Sequence, residues 1–233
     1  MKILVIDNNI DPSFWGSSDI AELIRKTTVN TSIHSTTYIR RAPQGDLPKS
    51  PKNFDRVILS GSKTSAFDTS PWVEELLQFV KNTIEAQKPF LGICFGHQML
   101  ARALGGTACM GKSKKPEFGW TKINLTADSP LTAQLPKTFY SFSAHFEEVS
   151  RLPDNLRPLA SSADCSIQAC QLEDKPVFGI QFHPEKPISE AKRILQERIK
   201  EKKPAQLLNP THSTQLYNPK IGETLFTNFL NLA

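Results

Sequence analysis

The apolar positions of this chain fall into two periods. Short strand runs occur at residues 2–6, 55–59 and 89–93, with apolar stretches at Ile3–Ile6, Val57–Leu59 and Pro89–Ile93. Runs this short, with no polar alternation, predict strands buried on both faces. The stretches between them carry helical spacing. Residues 18–25 show it weakly. After Pro71, Trp72, Val73, Leu76, Leu77, Val80 and Ile84 recur at three-and-four intervals. Proline suits the first turn of that helix, where its missing N–H is not needed. Residues 95–104 leave the third run as a further helix, and Gly105-Gly106 is the stop signal. Strand alternating with helix in this way predicts a parallel sheet covered on both faces.

The middle of the chain changes character. Residues 121–125, 139–143, 166–172 and 176–182 are strand-like and follow one another with little helix. They predict an antiparallel or mixed extension on one side of the sheet. Two helices close the pattern. Residues 189–200 place Ala191, Ile194, Leu195 and Ile199 on one face, and residues 221–232 form the last helix. Residues 204–219, rich in Pro, Asn and Thr, read as a surface loop. The expected fold class is α/β: a doubly wound, mostly parallel open sheet (flavodoxin-like) with a small antiparallel or mixed extension. The expected organisation is a single domain over residues 1–233. Its motif-bearing core covers about residues 1–200, and a loop and helix follow at 204–233.

Composition narrows the function classes. A chain of 233 residues with 39% hydrophobic and 22% charged content is an ordinary globular composition, long enough for a sizeable core. The net charge of +5 comes without aromatic-basic interleaving, so no nucleic-acid partner is expected. The local exception is residues 192–203, where Lys192, Arg193, Arg198, Lys200, Lys202 and Lys203 outweigh Glu197 and Glu201. This reads as the solvent side of an amphipathic helix, with a docking face for an acidic partner as the alternative. Asp7 ends the first apolar run too early for a secretory segment, and no run approaches transmembrane length. The expectation is a cytoplasmic protein with no membrane partner. Cys109, Cys165 and Cys170 lie in apolar stretches and read as buried thiols rather than a disulfide framework.

The fourth cysteine is different. Gly92-Ile93-Cys94-Phe95-Gly96 places it between glycines where a strand run meets a helix. This is the G-x-nucleophile-x-G elbow, with Cys in the place of Ser. A Cβ on either flank would collide with neighbouring backbone in so sharp a turn. The helix N-terminus there favours an anion, and the thiolate is the reactive form. Cys94 therefore reads as a nucleophile for acyl transfer. Such a thiol needs a base, and the base an orienter. Of five histidines, His183 stands out, because the strand run Phe178-Gly179-Ile180-Gln181-Phe182 ends at it. The carboxyl edge of a parallel sheet is where such folds build their sites. Residues two apart on extended chain point the same way, so Glu185 can hold one imidazole nitrogen and leave the other for the thiol. The oxyanion needs backbone N–H donors, each worth roughly 3 kcal/mol of barrier. Phe95, just after the nucleophile, and Gly61, in Ser60-Gly61-Ser62, are the candidates. No Cys/His cluster has zinc spacing, and neither a P-loop nor G-x-G-x-x-G appears. Neither a metal nor a nucleotide cofactor is implied.

These motifs carry a resemblance. Leu59-Ser60-Gly61-Ser62, Gly92-Ile93-Cys94-Phe95-Gly96-His97-Gln98 and Gly179-Ile180-Gln181-Phe182-His183-Pro184-Glu185 resemble, in order and spacing, a class I (triad-type) glutamine amidotransferase domain. The chain is most similar to the glutaminase domain of GMP synthase and its stand-alone relatives. Glu117-Phe118-Gly119-Trp120 and Ser143-Ala144-His145-Phe146 fall where those proteins carry related segments. The resemblance implies hydrolysis of the glutamine side-chain amide through a γ-glutamyl thioester, releasing glutamate and ammonia. Cys94 would be nucleophile, His183 general acid/base and Glu185 its orienter. Gln98 matches a family position that contacts substrate. Ser143, Ala144, His145 and Phe146 fall where the family lines its pocket. Phe146 replaces a small residue of many relatives and would reshape that pocket. His97 reads as structural, and His34 and His212 as surface.

The residues after Glu185 hold no Ser-Gly-Gly-x-Asp-Ser loop of an ATP-pyrophosphatase domain. Three readings stay open. One is an amidotransferase subunit or stand-alone glutaminase, with a synthase partner accepting ammonia. The second is a γ-glutamyl peptidase or hydrolase using the same thioester. The third is a non-catalytic member of the fold, against which the intact Cys94, His183 and Glu185 argue.

Overall fold

The computed structural model describes residues 1–11, 16–31, 33–173, 175–201 and 206–232. The chain opens with β1 (Lys2–Asp7), α1 (Ser17–Thr31), β2 (Thr36–Arg41), β3 (Arg56–Leu59), α2 (Pro71–Glu85), β4 (Phe90–Ile93) and α3 (Phe95–Gly105). Then come β5 (Met110–Leu125), β6 (Thr138–Val149), β7 (Leu156–Ser161), β8 (Ala169–Leu172) and β9 (Val177–Ile180), with no α-helix between them. It closes with α4 (Ile188–Lys200), β10 (Gln206–Leu208), α5 (Ser213–Leu216) and α6 (Pro219–Leu230).

The strands form one sheet in the order β10-β5-β7-β8-β9-β4-β3-β1-β2, with β6 paired to β5. The half from β2 to β9 is parallel. From β9 through β8, β7 and β5 to β6 the pairing is antiparallel, and β10 returns parallel to β5. This is an α/β fold with a mostly parallel half, helices on both sides and an antiparallel extension.

The unbroken runs have a simple cause. In β1, Leu4 and Ile6 pack into the layer under α2 and α3, with Val73, Leu76, Phe95 and Met99. Ile3 and Val5 face the opposite layer, with Ile20 and Ile24 of α1 and Leu225 and Phe226 of α6. Each such side chain contributes about 1.5–3 kcal/mol when fully buried, so neither face can tolerate a polar residue. Among the described residues, no helix is long and apolar enough to cross a membrane.

Four sequence expectations need correction. Strand β7 is one addition to the expected strands, and edge strand β2 is another. Thr36, Thr37, Arg40 and Arg41 break its apolar pattern, as befits an edge strand with one neighbour and mostly half-buried positions. Strand β5 runs from Met110, not from residue 121, because its first part is a polar hairpin arm paired with β6. The segment expected as a loop at 204–219 contains β10 and α5; Pro204 and Ala205 lie outside the described residues. The cause is non-local: β10 pairs with Glu117–Gly119 across a backbone approach that only glycine allows. A Cβ on Gly119, at φ +120°, would sit 2.0 Å from the Leu208 carbonyl oxygen. In α4, Ala191 and Leu195 are buried, but Ile199 is exposed and Arg198 takes a buried place instead.

Candidate active site

The nucleophile candidate sits where β4 becomes α3. Cys94 has φ +52° and ψ −101°, a backbone state that a side chain rarely adopts. Its N–H donates to the Ile180 carbonyl at 2.7 Å, so the parallel β4–β9 register extends to this point. The flanking glycines are sterically required. A Cβ on Gly92 would lie 2.3 Å from the Gly96 carbonyl oxygen, and one on Gly96 would lie 2.7 Å from that of Leu59. Phe95 is the first residue of α3, where a helix leaves its N–H groups without intrahelical acceptors.

The same register delivers the candidate base. Strand β9 ends at Ile180 opposite Ile93, so residues just past each strand meet at one sheet edge. His183 is anchored there by its N–H, which donates to the Phe142 carbonyl of β6 at 2.7 Å. Its Nδ1 donates to Oε1 of Glu185 at 2.7 Å, which fixes the tautomer and turns Nε2 the other way. Burial opposes the charge on His183, but the Glu185 carboxylate and the Cys94 sulfur outweigh it and raise the imidazole to about 10. Burial pushes Glu185 up, yet the His183 charge wins and holds its carboxyl below the usual range. The two stabilise one another as an ion pair.

Gly61 closes the third side. A Cβ there would meet His183 Cε1 at 2.9 Å, Cys94 Cβ at 3.4 Å and His183 Nε2 at 3.7 Å. The glycine backbone thus packs directly against both side chains. Its turn is knitted to β1: Asn8 N–H donates to Ser60 Oγ at 3.0 Å, Asn8 Nδ2 to the Ser60 carbonyl at 2.8 Å, and Ser62 Oγ to the Asn8 carbonyl at 2.7 Å.

A cavity of about 560 Å³ opens over this edge, with Gly61, Cys94, Gln98, Ala144, His145, Phe146, His183 and Glu185 in its wall. Of the residues expected to contact substrate, Ser143 is the exception. It is fully buried, its Oγ lacks a hydrogen-bond partner, and it is not part of that wall. Gln98 donates through Nε2 to the Glu147 carbonyl at 2.8 Å and to Gln181 Oε1 at 3.2 Å. Gln181 in turn donates to the Cys94 sulfur at 3.4 Å. This contact with Cys94 is one that sequence reasoning missed, although Gln181 stands two residues before His183. His145 donates through Nε2 to Glu117 at 2.9 Å, and Gln168 and Ser162 complete that carboxylate's shell at 2.6 and 2.7 Å. Glu147 ties β6 to the loop after β3, accepting from Ser65 Oγ at 2.7 Å and from the Ala66 N–H at 2.6 Å.

The remaining histidines and cysteines sort as follows. His97 is fully buried against Cys170 at 3.6 Å; burial first, and His145 second, hold it down at about 3, so it is neutral. His34 and His212 are exposed. All four cysteines are free and buried. Burial raises the thiols of Cys109 and Cys165, and pushes Cys170 up to about 12. The basic run is not a uniform solvent face. Arg193 is bound by Glu190 and Glu197, Arg198 is nine-tenths buried, and Lys202 and Lys203 lie outside the described residues.

A strained Cys at a helix N-terminus, a buried His–carboxylate pair and a glycine turn between them, at one edge of this sheet, are an arrangement capable of cysteine-dependent acyl transfer. The chain belongs to the glutamine amidotransferase class-I family, whose description residues 16–201 match. It is 36% identical over 185 residues to a glutamine-hydrolyzing GMP synthase subunit of Archaeoglobus fulgidus, covering 79% of this chain and 89% of that one. It is 32% identical over 167 residues to the glutamine-hydrolyzing GMP synthase of Thermobifida fusca, covering 71% of this chain but only 30% of that protein. The fold is shared with a glutamine amidotransferase of Thermotoga maritima at a TM-score of 0.77 and 21% identity, covering 99% of this chain and 96% of that one.

Proposed function

We propose that this chain, acting as one catalytic domain, hydrolyses the side-chain amide of glutamine to glutamate and ammonia. The observation that supports this reading is the meeting of Cys94, the His183–Glu185 pair and Gly61 at the mouth of one cavity. Cys94 Sγ attacks the amide carbon, and its proton resides on His183 Nε2. The carbonyl oxygen becomes an oxyanion facing the Phe95 and Gly61 N–H groups. His183 hands the proton to the leaving nitrogen, the C–N bond breaks, and a γ-glutamyl thioester remains. Water then gives a proton to His183 and attacks the thioester. Glutamate leaves and the thiol is restored. Glu185 keeps the imidazole in the working tautomer and stabilises its charged form. The relatives' names suggest a synthase partner as the ammonia acceptor.

A second substrate is favoured by one observation. Phe146 stands half-exposed on a cavity wall that is larger than free glutamine requires. The same chemistry on a γ-glutamyl peptide or conjugate would release an amine larger than ammonia. The deciding test is a side-by-side assay of glutamine and γ-glutamyl dipeptides on the purified chain, with and without a candidate synthase. Glutamate release from either substrate that survives Cys94→Ala overturns the mechanism.

A further inference from the structure

Among the described residues the cavity wall holds four cations, Lys63, Lys186, Arg193 and Arg198, and the last three differ in how their charge is met. Lys186 binds Asp19 at 2.6 Å, and Arg193 binds Glu190 and Glu197, each at 2.5 Å. Among the described residues, Arg198 has no such partner. It is nine-tenths buried, and its Nε is sealed from solvent without a hydrogen bond. Its guanidinium faces two rings of the described residues, Phe118 at 4.6 Å and Phe146 at 4.7 Å, themselves 4.9 Å apart. Stacking on aromatic faces contributes about 0.5–2 kcal/mol per ring. Burying an unpaired charge costs several. A planar fork of donors on the wall of the cavity that contains Cys94 has the geometry to receive a carboxylate.

The chemistry of the leaving group points to which carboxylate. If His183 protonates the leaving nitrogen, the substituent on that nitrogen must project past His183. Lys186, Ile194 and Arg198, which follow His183 in the chain, line the same cavity as Cys94 and His183, and so does Phe146, one of the two rings under Arg198. We propose that Arg198, set over the tilted ring pair of Phe118 and Phe146, is a specificity-determining residue that binds a carboxylate on the amine portion of the substrate. The substrate class is then γ-glutamyl amino acids or peptides. The proposal rests on the γ-glutamyl thioester reading and names the substrate for its second form.

The test compares γ-glutamylglycine with γ-glutamyl methylamide, which lacks only the carboxylate. The wild-type chain should prefer γ-glutamylglycine in kcat/KM on the order of tenfold to a hundredfold, the range of one charge-assisted pair. Arg198→Met, which keeps the stacked volume, should abolish that ratio, chiefly through KM. Arg198→Lys should restore part of it, and Phe146→Leu, which removes one of the two supporting rings without removing charge, should weaken it. Equal losses on both substrates would mark Arg198 as structural and overturn the proposal. Calorimetric binding of both compounds to Cys94→Ala reads the same ratio without turnover. If neither compound is hydrolysed but the binding preference is present and Arg198-dependent, the thioester mechanism fails and the carboxylate site stands. Equal affinities, or no binding of γ-glutamylglycine, overturn the site whatever the fate of the mechanism.

Discussion

Gly61→Ala isolates the geometry of the site from the stability of the fold. The added Cβ would lie 2.9 Å from His183 Cε1, about 0.5 Å short of ordinary contact, which begins at 3.4 Å. Against Cys94 Cβ it sits at that boundary. The backbone at Gly61 is outside the left-handed region, so alanine meets no conformational strain, and the new methyl faces the cavity. The imidazole must therefore give way, while Glu185 at 2.7 Å and the Phe142 carbonyl hold it from behind. A shift of roughly 0.5–1 Å between reacting groups costs on the order of ten- to a hundredfold in rate. We expect kcat to fall by that factor, with a melting temperature within about 4 °C of the parent, a change of about 1 kcal/mol or less. Glutamate release and a circular-dichroism melt measure the two. Unchanged turnover by Gly61→Ala would refute the claim that its backbone packs against the working His183. Gly92→Ala is the contrasting control: its Cβ would strike the Gly96 carbonyl oxygen at 2.3 Å, so that variant should lose the fold.

Cys94→Ser should lose several orders of magnitude in rate while folding normally, and a thiol-alkylating glutamine analogue should label Cys94; labelling of Cys109, Cys165 or Cys170 by peptide mapping would contradict the assignment. Removing His183 should cost nearly as much as removing Cys94, and the double variant little more; losses that multiply independently would show that the two do not act as one unit. Glu185→Gln removes one of the two groups that together outweigh burial at His183, so NMR titration should find the imidazole lowered. The folded-state value at His183 is raised from 6.5 to about 10, so its contribution to stability is complete below about 6.5 and disappears as pH rises through about 10. Stability curves of the parent and Glu185→Gln should therefore converge at high pH; parallel curves would argue against the ion pair.

Much of this molecule is legible from local rules. The runs at β1, β3, β4 and β9 are apolar because helices cover both faces of the sheet, and burial on two faces leaves a period that one sequence records. The glycines around Cys94 record a steric fact of one turn. His183 and Glu185 lie two residues apart, so their pairing needs only extended chain. The rest depends on what the sheet brings together. Strand β2 has a single neighbour and so carries no buried period, and β10 exists because Gly119 lets its backbone close onto β5. The contact from Gln181 to the Cys94 sulfur spans 87 residues and follows from the β4–β9 register. Arg198 is the clearest case. Along the chain it is one cation in a basic helix; in the fold two rings from β5 and β6 bury it beside the cavity. Periodicity and turn sterics are properties of neighbouring residues and survive in one dimension. The environment of a charge is set by residues distant in sequence, and only the tertiary structure supplies it.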